Sequence, residues 1–398
     1  MSAMKVRCAI PLLLACFGSL AAHERSLLAA DVNRRNTSDV IQEFTVGKEG
    51  RPLILPVHIL GHPYRFLVDT GSSRTIYDSH FRDVLGASIG ETTIETPGGQ
   101  LRADLFACPR ASIGKFAWPP TSSIVCTDLT LLKAASGEHI DGVIGMDFLK
   151  HYVLKIDFDV GLLRLSSADT EQSAGLGELI PMSFAHSACP SVRARLSASV
   201  EEEFIVDTGA NVSCLHAATF SSLHRDRELR LFLTLHRALT TNGQVTGQSG
   251  FVDSISIGRY RNQWLRFDAG TKSLLGLRFL SRYAVTLDFP NQRLYLKPGQ
   301  RYADAHRPAT SGLAILRVNG AFVIHSVQPE SPAEKAGVLR GDIIDRINGS
   351  DTGEYDMFAL GKLLSAQVGR EVSLRLRRGE KEIDAVFSPA ALPLEESK

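Results

Sequence analysis

Apolar positions along the chain fall mostly in short runs of the strand kind. Residues 53–60 read as a strand, Gly61-His62-Pro63 as a turn and residues 64–68 as the returning strand. That return ends in Phe66-Leu67-Val68, three apolar residues that lead straight into Asp69-Thr70-Gly71. Such a run predicts a buried strand that delivers a carboxylate at its end, with glycine letting the chain turn where a side chain would clash. A lone Asp-Thr-Gly of this kind is usually an ordinary turn. Here Phe204-Ile205-Val206 leads into Asp207-Thr208-Gly209 in the same way.

A second pair of segments repeats. Residues 145–158 align without gaps on residues 276–289, with Gly, Phe, Leu, Tyr, Asp and Phe recurring in register. The aspartate turns lie 138 residues apart and these segments 131 apart, so two halves carry the same parts in the same order. Between the landmarks of the first half, residues 92–96 and 100–103 flank Pro97-Gly98-Gly99, a hairpin with a glycine-rich tip. Residues 240–247 are its counterpart in the second half. One departure stands out: Arg278 occupies the place of Asp147.

Beyond Leu294-Tyr295-Leu296, the polar stretch from Lys297-Pro298-Gly299 to Ser311 reads as a linker. A different module follows. Gly312-Leu313-Ala314-Ile315 precedes a strand at residues 321–327. A short helix begins at Pro332 and stops at Gly337, Gly341-Asp342 turns into the next strand, residues 355–366 form a longer helix, and residues 372–377 a closing strand.

At the other end, residues 1–22 have the form of an export signal. Lys5 and Arg7 precede the apolar residues 9–17, and Ser19-Leu20-Ala21 offers a small-x-small cleavage site. The apolar run is too short to span a bilayer. Leu13-Leu14-Ala15-Cys16 also approximates a lipoprotein cleavage box, which leaves a lipid anchor on Cys16 as an alternative. The formal net charge of +1, with acidic and basic residues interspersed, argues against a nucleic-acid partner. Outside the signal stand Cys108, Cys126, Cys189 and Cys214, two per half. They permit one disulfide in each, or four free thiols. No CxxC or histidine cluster points to a metal.

The duplicated Asp-Thr-Gly turns, the hairpin between landmarks, and the apolar pair before glycine (Val143-Ile144-Gly145 and Leu274-Leu275-Gly276) resemble the retropepsin-like aspartic peptidases, specifically their two-lobed bacterial relatives. The C-terminal motifs resemble a bacterial PDZ domain. The fold class this implies is mainly β: two homologous retropepsin-like lobes forming a pseudo-two-fold aspartic peptidase, plus a small α+β PDZ domain. The expected organisation is a signal at 1–22, a spacer at 23–44, lobe 1 at 45–168, lobe 2 at 169–299, a linker at 300–311 and the PDZ domain at 312–390.

By the same resemblance, Asp69 and Asp207 would share one proton and activate a water between them, without metal or cofactor; the aspartic-protease dyad is the standard instance of such sharing. Thr70 and Thr208 would bond across the interface, and Gly71 and Gly209 would leave amides near the carboxylates. Pro97, Gly98 and Gly99 would form the tip of a substrate-covering flap. Ser72 either biases which aspartate ionises or caps its own turn; Ala210 stands in its place in lobe 2. The Gly312 to Ile315 loop would offer N–H groups to a protein C-terminus. The expected protein is an exported, monomeric endopeptidase acting on peptides or proteins, with a PDZ module that recruits or gates substrate. The competing expectation is a catalytically silent peptide-binding scaffold.

Overall fold

The computed structural model describes residues 40–96, 98–118, 123–167, 175–184, 188–197, 200–240, 243–304, 309–365 and 368–391. The signal segment with Cys8 and Cys16, most of the spacer, the flap residue Pro97, and Thr241 and Asn242 of the second hairpin lie outside the described residues.

The chain is mainly β. Both aspartate strands are central, which explains their unbroken apolar run: a strand covered on both faces has no polar face to show. In the first half, His62–Val68 lies between Ile54–Ile59, antiparallel, and Gly142–Ile144, parallel. In the second, Val200–Val206 lies between Ser191–Leu196, antiparallel, and Leu274–Leu275, parallel. Phe66, Val68, Phe204 and Val206 are fully buried.

The halves are joined below these sheets by a six-stranded antiparallel sheet. Its centre pairs Val153–Asp157 with Tyr283–Asp288, the two repeat segments, so that Val153 faces Asp288 and Asp157 faces Ala284. Each segment also folds back as a hairpin, with Leu162–Ser166 and Arg293–Pro298 respectively. An edge strand completes each side: Val40–Thr45 in the first half and Glu178–Pro181 in the second. One continuous apolar core runs from Phe44 through this sheet to Leu296, whereas the C-terminal module has a separate core around Phe322, Ile344, Leu360 and Leu374.

Several boundaries differ from expectation. Residues 40–44 are strand rather than spacer, because Val40–Thr45 completes the edge of the shared sheet. The first hairpin turns at Leu60-Gly61, with φ of +50° and +90°, and His62 already pairs with Ile59. Two left-handed central residues match the twist of the flanking strands, which is why the turn needs only two. Residues 300–304 are docked rather than free: the Tyr302 ring packs on Tyr260 and Tyr283, and buried Arg282 donates to the carbonyls of Tyr302 and Asp304. Ala309–Thr310 pairs with Ala390–Ala391.

In the C-terminal module, Ser331 accepts from the Glu334 N–H and Pro332 fills the first helical turn, so the short helix starts as expected. The longer helix runs Met357–Leu364, because the Asp356 carboxylate accepts the Ala359 N–H and fixes its start. Leu313–Val318 forms the edge strand of a sheet whose next strand is Ala321–Val327.

Candidate active site

The two Asp-Thr-Gly turns meet on the pseudo-two-fold axis and are tied by their threonines. Thr70 Oγ1 donates to the Val206 carbonyl (2.5 Å) and Thr208 Oγ1 to the Val68 carbonyl (2.8 Å). Each hydroxyl also accepts the other threonine's N–H, at 3.1 Å in both directions. Both threonines are fully buried, so four reciprocal bonds hold the turns where water cannot compete.

Each aspartate is oriented by its own loop. Asp69 Oδ1 accepts the N–H groups of Gly71 (2.8 Å) and Ser72 (3.1 Å), and Asp207 Oδ1 those of Gly209 (2.8 Å) and Ala210 (2.9 Å). The glycines are required for a second reason. A Cβ on Gly71 would enter the Asp207 carboxylate, and one on Gly209 the Asp69 carboxylate, so each carboxylate lies against the glycine of the opposite loop.

Both aspartates keep partial solvent exposure, yet protein encloses their carboxyl groups on nearly every side, and the enclosure governs protonation. Burial, then the charge of Asp207, holds the Asp69 carboxyl well above the usual carboxylate range. Asp207 is also raised by burial, but the Ala210 and Gly209 amides counter the shift. Both carboxyls are thus raised, and two carboxyl groups in one enclosed site favour a single proton shared by the pair.

Ser72 resolves to the turn-capping role. Its hydroxyl donates to the Arg74 carbonyl at 2.7 Å, while only its backbone N–H reaches Asp69. The hydroxyls that brace the loops are further along. Thr75 Oγ1 accepts the Gly145 N–H (3.2 Å) and donates to Asp147 (2.6 Å); Ser213 Oγ accepts the Gly276 N–H (3.1 Å). Thr75 and Ser213 are separated by the same 138 residues as the aspartates. Sequence reading missed this pair, although the common offset was its signal. Arg278, in the place of Asp147, offers no carboxylate to such a brace; besides the Ser213 hydroxyl, the Leu277 and Arg278 N–H groups close the lobe 2 loop on the Ala210 and Asn211 carbonyls, at 2.8 and 3.0 Å. Cys189 is a further contributor that the sequence did not single out: its Sγ donates to the Gly71 carbonyl (3.1 Å). Cys108, Cys126, Cys189 and Cys214 are all free thiols.

The expected flap is a hairpin of Gly90–Thr96 and Gly99–Ala107, in which Thr96 pairs with Gly99 and Gly99 takes φ +110°; Gly98 lies in the turn. Glu95 on its first arm reaches Lys272 of the second lobe at 2.9 Å. In the C-terminal module, Leu313, Ala314 and Ile315 lie in the edge strand rather than in an open loop. The N–H groups of Gly312 and Leu313 are bonded to the Thr310 and Ser311 hydroxyls, at 2.9 and 3.3 Å. Among the described residues no group of side chains could hold a metal ion.

The family described as aspartyl protease matches residues 55–148, and the gag-polyprotein aspartyl protease family matches residues 197–282, one around each turn. The PDZ domain family matches residues 323–378. Among curated proteins, the 26S proteasome non-ATPase regulatory subunit 9 of Drosophila melanogaster is 35% identical over 69 residues; the match spans 17% of this chain and 31% of that protein. Among solved structures, the aspartic proteinase from Irpex lacteus aligns with a TM-score of 0.42 and 15% identity over 66% of this chain and 99% of its own. The chain carries two retropepsin-like aspartyl protease segments, one built around each Asp-Thr-Gly turn, with a PDZ domain behind them.

Proposed function

We propose that the protein is an aspartic endopeptidase whose dyad, Asp69 and Asp207, lies within a single chain. The observation that carries this reading is the reciprocal placement of each carboxylate against the opposite glycine, which brings two carboxyl groups into one enclosed site where both are raised. A scaffold that only holds peptides has no physical need for two mutually repelling carboxylates in one enclosed site. The ionised member of the pair would take a proton from a water held between Asp69 and Asp207, and that water would attack the peptide carbonyl. The protonated member would donate to the carbonyl oxygen, and a proton would pass to the leaving amine, with no covalent intermediate. Thr70, Thr208, Gly71 and Gly209 hold the geometry, and the glycine-tipped hairpin covers the substrate.

The finer parts of the reading extend from this. The protein is exported by residues 1–22, with Cys16 as the lipid attachment point if it remains at a membrane, and acts as a monomer on peptides or proteins. The PDZ domain recruits or gates substrate. The reading is tested by incubating purified protein with a mixed peptide substrate from pH 3 to pH 7, with and without a hydroxyl-containing transition-state mimic. Cleavage that the mimic abolishes is expected; cleavage blocked instead by chelators or serine-directed reagents, or none at any pH, overturns it.

A further inference from the structure

The groove of the PDZ domain does not face open solvent along its whole length. Its walls are the edge strand Leu313–Val318 and the helix Met357–Leu364, with Leu313, Ile315, Met357 and Leu363 half-buried against the domain core. The lobe 1 helix Thr130–Ser136 packs beside the edge strand, and Gly137, which ends that helix, fits between the Met357 and Arg317 side chains. A Cβ on Gly137 would overlap Met357. Met357 opens the groove helix and Arg317 lies near the end of the edge strand remote from Gly312, so lobe 1 abuts the groove opposite its Gly312 end.

The groove helix is also clamped from beneath. Asp356, its capping residue, pairs with Arg51 at 3.0 Å, and Lys362 pairs with Glu49 at 3.0 Å. The Arg51 guanidinium lies 4.5 Å from the Phe358 ring centroid. Meanwhile the loop amides that would meet a carboxylate are bonded to Thr310 and Ser311.

The rim helix connects these contacts to the peptidase body. Leu129 and Leu132 pack into the apolar cluster with Leu67, Ile76 and Val143 beside the aspartate strand. Lys133 pairs with buried Asp78 at 2.8 Å, and the helix also neighbours Leu229–Thr240, the first arm of the lobe 2 hairpin.

We propose that the rim helix Thr130–Ser136 with Gly137 is a built-in stop for the PDZ groove, so that docking of the PDZ domain on lobe 1 and binding of a long chain terminus exclude each other. The ligand is a polypeptide C-terminus with an apolar last residue. Its carboxylate meets the Gly312 end and its chain extends as an added strand along Leu313–Val318, and the residues upstream run into Gly137. Binding lifts the PDZ domain from the rim and frees the helix that abuts the lobe 2 hairpin, which makes the groove a control point for the cleft. This rests on the peptidase reading only for its consequence; the exclusion itself is independent of catalysis.

The test uses the full chain in the Asp69→Asn background, so that the probe survives. The probe is a fluorescent nine-residue peptide ending in a free valine carboxylate, with its C-terminally amidated form as control. Glu49→Lys with Arg51→Glu reverses both clamping pairs while leaving the groove-lining Leu313, Ile315, Met357 and Leu363 in place, and is expected to tighten binding of the free-acid peptide ~10-fold, since each exposed pair is worth little alone but reversal adds repulsion. Saturating peptide is expected to speed hydrogen exchange at the Lys133 and Gly137 amides of the unreversed chain by about tenfold, the signature of a local opening. Unchanged affinity in the reversed variant, unchanged exchange at saturation, equal binding of the amidated peptide, or no binding by either chain overturns the proposal. A protein that cleaves nothing can pass this test, and an active peptidase can fail it.

Discussion

The enclosure of the Asp69 carboxyl has a cost that pH exposes. Its folded pKa lies above its unfolded value, so the folded state binds the proton more tightly and this contribution is fully present only below the unfolded pKa. It is lost as pH rises through the folded pKa, and at neutral pH the enclosed carboxyl weakens the fold. Asp69→Asn removes that penalty. Its thermal midpoint should exceed that of the parent by about 2–4 °C at pH 7, with the gap closing toward pH 4. Calorimetry at both pH values checks the sign; a lower midpoint at pH 7 would contradict the raised Asp69 carboxyl. The threonines carry the opposite expectation. Thr208→Val removes the donor to the Val68 carbonyl and the acceptor of the Thr70 N–H, both buried, and should cost roughly 2–4 kcal/mol in urea denaturation, as two orphaned groups require.

At the scale of elements, the glycine-tipped hairpin is the part whose shape matters more than its stability. Gly99 takes φ +110°, which a side chain adopts only under strain, although space around it is open. Gly99→Val should therefore distort the tip and lower kcat/KM about tenfold while the thermal midpoint moves by less than about 2 °C. Steady-state kinetics and a thermal scan separate the two effects. The aspartate strands and their turns were legible in the sequence because each apolar run is short, buried on both faces and present twice. Turn chemistry was less so: the Leu60-Gly61 turn hides because leucine is not a residue expected at positive φ, and register with His62 forces it there. The bracing hydroxyls Thr75 and Ser213 could be found only by carrying the 138-residue offset past the motif itself. Edge strand Val40–Thr45 carries its apolar residues Val40, Ile41 and Phe44 out of strand alternation, and only its pairing with Leu162–Ser166 explains it.

The whole molecule is held together by contacts that no local pattern encodes. Arg51 with Asp356 and Glu49 with Lys362 are 305 and 313 residues apart and read as ordinary surface charges until the fold brings them together. The stretch after residue 299 likewise looks like a linker but supplies the acceptors of buried Arg282. A chain ending at residue 304 should keep the peptidase body intact. One ending at 299 leaves that guanidinium without the Tyr302 and Asp304 carbonyls and should be less stable by at least about 2 kcal/mol in urea denaturation. Equal stability of the two would show that the docked segment contributes nothing. The central claim, that two aspartates act as one unit across the lobe interface, is tested most directly by kcat/KM of Asp69→Asn, Asp207→Asn and the double variant on a single peptide substrate. Groups sharing one proton fail together, so each single substitution should lower kcat/KM by at least about 1000-fold and the double variant should be little worse than either. Near-parent activity in either single variant, or losses that multiply in the double, would contradict the account.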